Sequence, residues 1–234
     1  ARRGHPAVTQ ADFDAALEKI VLGAERKIVL SEQDRRRVAY HEAGHALVAM
    51  LTPGADPLRK VSIIPRGRAL GITFAAPEDD RFNYTRSELI AKIAVTLGGR
   101  AAEEVVFGDV STGAEQDIEQ VTELARRMVG RWGMGERVGL VAVLPRDGQG
   151  PVPFAADAPA DATRRLLDEE VRRLVDERYR AVHDLLERER DRFERLARAL
   201  LDRETLEADE ARRAAGLDEG AKTSAPLEVA KGGP

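Results

Sequence analysis

The sequence predicts a mainly α-helical fold of the α+β type with one small antiparallel β-hairpin. Three observations predict it. Several long stretches carry apolar residues at helical spacing behind recognisable cap residues. Only one stretch, residues 59–75, reads as strand, turn, strand. The 234-residue chain combines 43% hydrophobic with 33% charged residues, which is enough apolar material for a core beneath solvated helix faces.

The same composition narrows the function classes. A net charge of −4 implies no general attraction to nucleic acid. The chain has no Cys, so disulfides and thiolate metal sites are excluded, and any metal must be held by nitrogen and oxygen. No apolar run approaches the roughly 20 residues that span a bilayer, and no signal peptide is visible.

Residues 1–8 read as a loop, with His5 solvated between Gly4 and Pro6. Thr9 caps a helix expected over 10–22, with Phe13, Leu17, Ile20 and Val21 as its apolar stripe. Ser31-Glu32-Gln33-Asp34 resembles a capping box and opens a long helix that ends before Pro53 and Gly54. The hairpin follows as Arg59–Ile64 and Ala69–Ala75, and Gly71 marks a place where another backbone comes close. Thr85-Arg86-Ser87-Glu88 starts a further helix with Leu89, Ile90, Ile93, Ala94 and Leu97 apolar, continuing toward Glu103 and Glu104. One of those two carboxylates should be buried and in need of a partner. Ser111 or Thr112 caps the next helix, on which Asp117, Val121, Leu124 and Met128 share one stripe. Residues 145–161, rich in Pro, Gly, Ala and Asp, read as a linker. The charged stretch from Thr163 to Leu201 has an apolar seam, with a two-helix hairpin as one arrangement of it. His183 is solvated there. A short helix near Leu206–Ala215 and a disordered tail over 217–234 complete the chain.

The chemistry concentrates in Tyr40-His41-Glu42-Ala43-Gly44-His45. Two His four residues apart project from one helix face and can share a metal ion, and the Glu beside the first can reach a metal-bound water. Val38, His41, His45 and Val48 lie on one apolar stripe, and two buried imidazoles one turn apart would be costly there without a ligand. Gly44 marks a close approach by another segment. A catalytic zinc wants three protein ligands and one open position. His41 and His45 supply two. Asp117, Glu103 and Glu104 are the candidates for the third, and Asp117 has the cleanest helix stripe. Glu42 then takes a proton from the zinc-bound water as it attacks a carbonyl and passes it to the leaving amine, which is peptide hydrolysis.

Five motifs in order widen the basis: Gly23-Ala24-Glu25-Arg26; Ala39-Tyr40-His41-Glu42-Ala43-Gly44-His45; Lys60-Val61-Ser62-Ile63-Ile64-Pro65-Arg66-Gly67-Arg68-Ala69-Leu70-Gly71; Gly98-Gly99-Arg100-Ala101-Ala102-Glu103-Glu104; and Val110-Ser111-Thr112-Gly113-Ala114. With these the chain resembles the FtsH-type, membrane-anchored, ATP-dependent zinc proteases over roughly residues 12–140. The resemblance implies a mainly helical zinc peptidase domain with its hairpin near the active site. It implies one Zn2+ held by His41, His45 and Asp117, Glu42 as catalytic base, and Gly71, Ile72, Thr73 and Phe74 lining the substrate path. It divides the chain into a remnant of the ATPase lid (1–30), the peptidase domain (31–204) and a short helix with a tail (205–234). It further implies a homohexamer and substrates that are unfolded or extracted from the membrane. ATP acts through a module not visible in this sequence, and the whole protein sits at the cytoplasmic face of the bacterial inner membrane. A catalytically silent ring module and a stand-alone hydrolase of small amides are the competing readings. Intact His41, Glu42, His45 and Asp117 argue against the first, and the second requires a deep closed pocket and a monomer.

Overall fold

The computed structural model describes residues 9, 12, 19–20, 23–26, 28–67, 69–77, 82–144 and 160–217. The helix expected over 10–22, the linker expected over 145–161 and the tail expected over 217–234 lie outside the described residues apart from a few positions; of these, Asp161 already opens a helix and Leu217 is buried in the core.

Among the described residues, six helices and a three-stranded antiparallel sheet follow one another as α1 (Glu32–Leu51), β1 (Leu58–Ser62), β2 (Ile72–Ala75), α2 (Arg86–Phe107), a 3₁₀ turn (Thr112–Ala114), α3 (Glu115–Gly130), α4 (Asp161–Arg188), α5 (Arg190–Arg203), β3 (Thr205–Glu207) and α6 (Ala208–Ala215). The caps read from the sequence are in place. Ser31 accepts from the Asp34 amide at 3.1 Å. Thr85 and Glu88 form a reciprocal capping box at the start of α2. Ser111 caps the 3₁₀ turn, accepting from the Gly113 amide at 3.1 Å.

α1 is the central element. It is buried almost without interruption from Val38 to Ala49, so its burial extends well beyond the single stripe that the spacing predicts. One side packs on the sheet, the C-terminal part of α4, α5 and α6, with Val61, Leu185, Phe193, Leu200 and Leu206 in a common core. Another side crosses α2 at Gly44 and Gly98. A Cβ on Gly44 would stand 2.4 Å from the Gly98 carbonyl oxygen and 2.5 Å from the Ala102 Cβ. Only glycine lets the two backbones meet at that distance. A second core, around Ile93, Leu97, Val121, Met128 and Leu167, joins α2, α3 and α4. Buried Glu170 of α4 accepts from the amides of Glu136, Arg137 and Val138 at 2.5, 3.0 and 2.9 Å, which ties the loop after α3 to that core.

Three features differ from the expectation. The hairpin strands are shorter, because Arg66 and Ala69 pair in a turn of their own inside the connection. The charged region does not fold back as a hairpin: α4 and α5 join at the single residue Glu189, whose carboxylate accepts from Arg192 at 2.7 Å. A third strand, β3, pairs with β1, giving the order β2-β1-β3. Val61 therefore lies between Thr73 on one side and Leu206 on the other, and the final helix starts only at Ala208. Within the described residues β2 is an outer strand of this sheet.

Candidate metal centre

The two His of α1 reach the same point because one helical turn separates them. Their Nε2 atoms are 3.1 Å apart. Asp117, in the first turn of α3, brings its Oδ2 to 3.2 Å from His41 Nε2 and 3.4 Å from His45 Nε2. The three side chains each offer a ligand atom within one small group. The outer ring nitrogens are both engaged. His41 Nδ1 lies 3.0 Å from Glu103 Oε1, and His45 Nδ1 lies 2.7 Å from the Val95 carbonyl oxygen. Both of those partners can accept a proton carried on Nδ1, and both Nε2 atoms face inward; the Gly99 amide also points at His45 Nδ1, at 3.3 Å.

That arrangement sets the chemistry. Two nitrogen lone pairs and a carboxylate face one another at 3.1–3.4 Å, which is repulsive until a cation or proton enters. Ligands of a tetrahedral ion bonded at about 2.0–2.1 Å stand about 3.3 Å apart, so the residues fit such an ion. Without one, a proton takes its place. Burial opposes a charge on His41, but hydrogen bonds to Asp117 and Glu103 outweigh it and lift the ring to about 10. Asp117 is pulled the other way: burial would raise it, yet the hydrogen bonds from His41 and His45 hold it well below the usual carboxylate range.

Glu103, the rival candidate for third ligand, takes a different place. It is 1% exposed and touches the outer nitrogen of His41 rather than the inner group. Its other oxygen accepts from Arg37 at 2.9 Å and from the Ser111 amide at 2.9 Å. One carboxylate thus binds His41 of α1 and the turn that leads into Asp117. Burial would raise its pKa, but the bonds from His41, Ser111 and Arg37 bring it down to about 2. Glu104 points elsewhere and accepts from the Tyr179 hydroxyl. His183, a third exposed, stands beside Asp184 on α4, outside the group.

Glu42, buried on the flank of α1, lies under the entry to β2. A Cβ on Gly71 would stand 2.6 Å from Glu42 Oε1, so the close neighbour at this glycine is a side chain and not the backbone the sequence led us to expect. Thr73 donates to Glu42 Oε2 at 2.7 Å. Burial raises the Glu42 carboxyl above its ordinary value, against the pull of His41 and His45. Gly71 and Thr73 therefore meet Glu42, whereas Ile72 and Phe74 alternate to the other face of the strand. The sequence carried no signal for the roles of Arg37, the Val95 carbonyl or the Ser111 amide. Gly99 was visible within the double glycine, and its reason is local: a Cβ there would stand 2.4 Å from His41 Nε2 and 2.5 Å from His45 Nε2.

Residues 28–214 match peptidase family M41. The chain belongs to that family. It is also similar to curated proteins named ATP-dependent zinc metalloprotease FtsH. The one from Conexibacter woesei, FtsH 3, is 57% identical over 93% of this chain and 29% of its own length. The one from Thermobaculum terrenum is 55% identical over 94% of this chain and 34% of its own. FtsH 4 of Sphaerobacter thermophilus is 49% identical over 88% and 32%. The chain thus spans about a third of the length of the curated relatives it matches. The M41 match covers α1 to α6 almost entirely, the whole of the candidate centre included, and makes this stretch a metalloprotease domain, a hydrolase.

Proposed function

We propose that this domain is a zinc-dependent endopeptidase in which His41, His45 and Asp117 hold one Zn2+ and Glu42 is the catalytic base. The observation that carries the reading is the convergence of two imidazole Nε2 atoms and a carboxylate, with the buried Glu42 at their side. Bound there, zinc supplies a Lewis acid that polarises the scissile carbonyl and acidifies the attacking water. The chain's own residues do the rest. Glu42 takes the proton from that water and returns it to the leaving amine, a task suited to a carboxyl whose pKa is raised toward the working range. Glu103 and the Val95 carbonyl keep His41 and His45 in the tautomer that binds metal. Gly71, Ile72, Thr73 and Phe74 offer an outer strand against which an extended peptide can pair, which places its carbonyl beside Glu42.

In the whole protein the domain serves an ATP-dependent, membrane-anchored protease that works as a homohexamer. Its substrates are unfolded or membrane-extracted proteins, delivered at the cytoplasmic face of the inner membrane. The names of the relatives support ATP dependence, zinc and proteolysis. Anchoring, assembly and location rest on the resemblance, with residues 1–30 as the end of the ATPase lid. Among the described residues no helix is long and apolar enough to cross a membrane.

Elemental analysis of metal per chain, for the wild type and Asp117→Ala, tests the ligand set. About one zinc in the wild type, lost or much weakened in the variant, is expected; full retention in the variant overturns Asp117 as ligand. Casein cleavage should stop with chelator and with Glu42→Gln. A Glu42→Gln protein that cleaves normally overturns the base.

A further inference from the structure

The hydroxyl of Thr73 does something that lining a substrate path does not require. Its Oγ1 lies 2.7 Å from Glu42 Oε2 and 3.1 Å from the Glu42 backbone oxygen. It has one proton, and the shorter, charge-assisted contact takes it. Among the described residues this is the one side-chain hydrogen bond that the Glu42 carboxylate receives. Glu42 is otherwise enclosed. It is 7% exposed, and Gly71 lies so close that a Cβ there would meet both Oε1 and Cγ, at 2.6 and 2.7 Å. Gly71 and Thr73 are alternate residues at the head of one strand and point to the same side of it. One leaves room for the carboxylate and the other grips it. The strand that does this belongs to the sheet through Val61↔Thr73 and Ser62↔Ile72, so its position is set by β1 and not by α1.

We infer that Thr73 is a positioning residue for Glu42: its hydroxyl holds Oε2, fixes the plane of the carboxylate, and couples the base to the strand along which substrate lies. The inference rests on the reading of Glu42 as the base. Its physical basis is short. A Glu side chain has three rotatable bonds, and proton transfer requires the carboxylate within hydrogen-bond reach of the water and later of the amine. α1 fixes the Cα of Glu42 but not those torsions. Removal of the hydroxyl leaves a buried carboxylate with one donor fewer. Because β2 is also an outer strand among the described residues, a peptide that shifts β2 on docking moves the donor that holds the base.

The test uses the full-length protein with zinc and ATP, and fluorescein-labelled casein as probe. Thr73→Val keeps the shape and removes the hydroxyl; Thr73→Ser keeps the hydroxyl. For Thr73→Val we expect kcat to fall tenfold or more while KM stays within about twofold and zinc per chain is unchanged. Thr73→Ser should recover most of kcat. In a Glu42→Gln background Thr73→Val should remove nothing further. The inference is overturned if Thr73→Val keeps wild-type kcat, if KM rises with kcat unchanged (a substrate contact only), or if Thr73→Ser is as impaired as Thr73→Val (shape rather than hydroxyl). Thermal unfolding of each variant separates these results from a folding defect. Should Glu42→Gln itself cleave casein normally, the base reading fails. If Glu42→Gln is dead and Thr73→Val is normal, only the positioning role fails.

Discussion

At the scale of single residues the centre is organised by Glu103 as much as by the three inward-facing ligands. Its two oxygens tie His41, Arg37 and the Ser111 amide together. Replacing it with Gln keeps the volume but weakens the acceptor that holds the His41 tautomer. Loss of such an outer partner costs about 10–100-fold in metal affinity, and that is the expected loss of zinc affinity for Glu103→Gln in a competition titration. Glu104→Gln, whose partner is Tyr179, should leave the affinity unchanged. Protonation gives a second prediction. A ring lifted from 6.5 to about 10, as in His41, stabilises the fold fully below 6.5 and loses that contribution as pH rises toward 10. A carboxyl lowered from 4.5 to about 2, as in Glu103, stabilises fully above 4.5 and loses that contribution as pH falls toward 2. The metal-free protein should therefore draw most from these two groups between pH 4.5 and 6.5. At pH 7 the metal-free ring carries a proton that zinc must expel. Calorimetric titration of zinc at pH 7, in two buffers with different heats of ionisation, should show about one proton released. A buffer-independent heat would contradict the protonated ring. The sequence made His41, His45 and Asp117 readable because each sits at a helical spacing with apolar neighbours. It could not show which side of His41 Glu103 would take. Sixty-two residues separate them, and both arrangements satisfy a buried carboxylate.

At the scale of elements, the site depends on how closely α1 and α2 approach. Gly44 and Gly98 set that distance, and Gly99 one residue on leaves room for both imidazoles. Gly44→Ala is the direct test. Alanine improves the intrinsic helix propensity by up to about 1 kcal/mol. Its methyl, however, would enter at 2.4 Å from the Gly98 carbonyl oxygen, and backbone cannot give way as a flexible side chain does. Overpacking of this kind typically costs about 1–3 kcal/mol, so a net loss of stability is expected in urea unfolding, together with weaker zinc binding because the helices part at the centre. A variant as stable as the wild type would show that the crossing can widen freely. Sequence reading located the close approach from the interior glycine, and it located α1, α2 and α3 from their caps and periods. It missed β3 for a physical reason. Thr205-Leu206-Glu207 is too short to display a period, and α5 is capped by Glu204, a non-glycine residue with φ of 64°, so no glycine stop signal separates helix from strand. The strand exists because β1 offers a free edge and Leu206 a fully buried side chain, which are facts of tertiary structure.

At the scale of the whole molecule, the question is how far the metal and the fold depend on each other. The ligands come from α1 and α3, which are held by different cores. Val38, Leu47 and Val48 pack with the sheet, α5, α6 and parts of α2 and α4, whereas Val121 and Met128 pack with other parts of α2 and α4. Both cores are closed by apolar contacts that involve no ligand, so the metal-free chain should fold. In that respect it differs from small domains that depend on zinc for their fold. Bound as proposed, a metal would instead clamp α1 to α3, adding to the links that α2 and α4 already make between the two cores. Zinc present at about 1,000 times its dissociation constant should add about 4 kcal/mol. For a domain of this size that corresponds to a rise in melting temperature of roughly 8–16 °C. Asp117→Ala removes the only ligand that α3 contributes to the group. The clamp then holds α1 alone, and most of the zinc-induced rise should vanish, over and above the metal-free stability lost with the His41–Asp117 contact. Differential scanning calorimetry of both proteins, with zinc and with chelator, reads all four states. A metal-free wild type that shows no cooperative transition would mean that the two cores are not independently closed. An equal zinc-induced rise in both proteins would mean that the ion does not bridge α1 and α3.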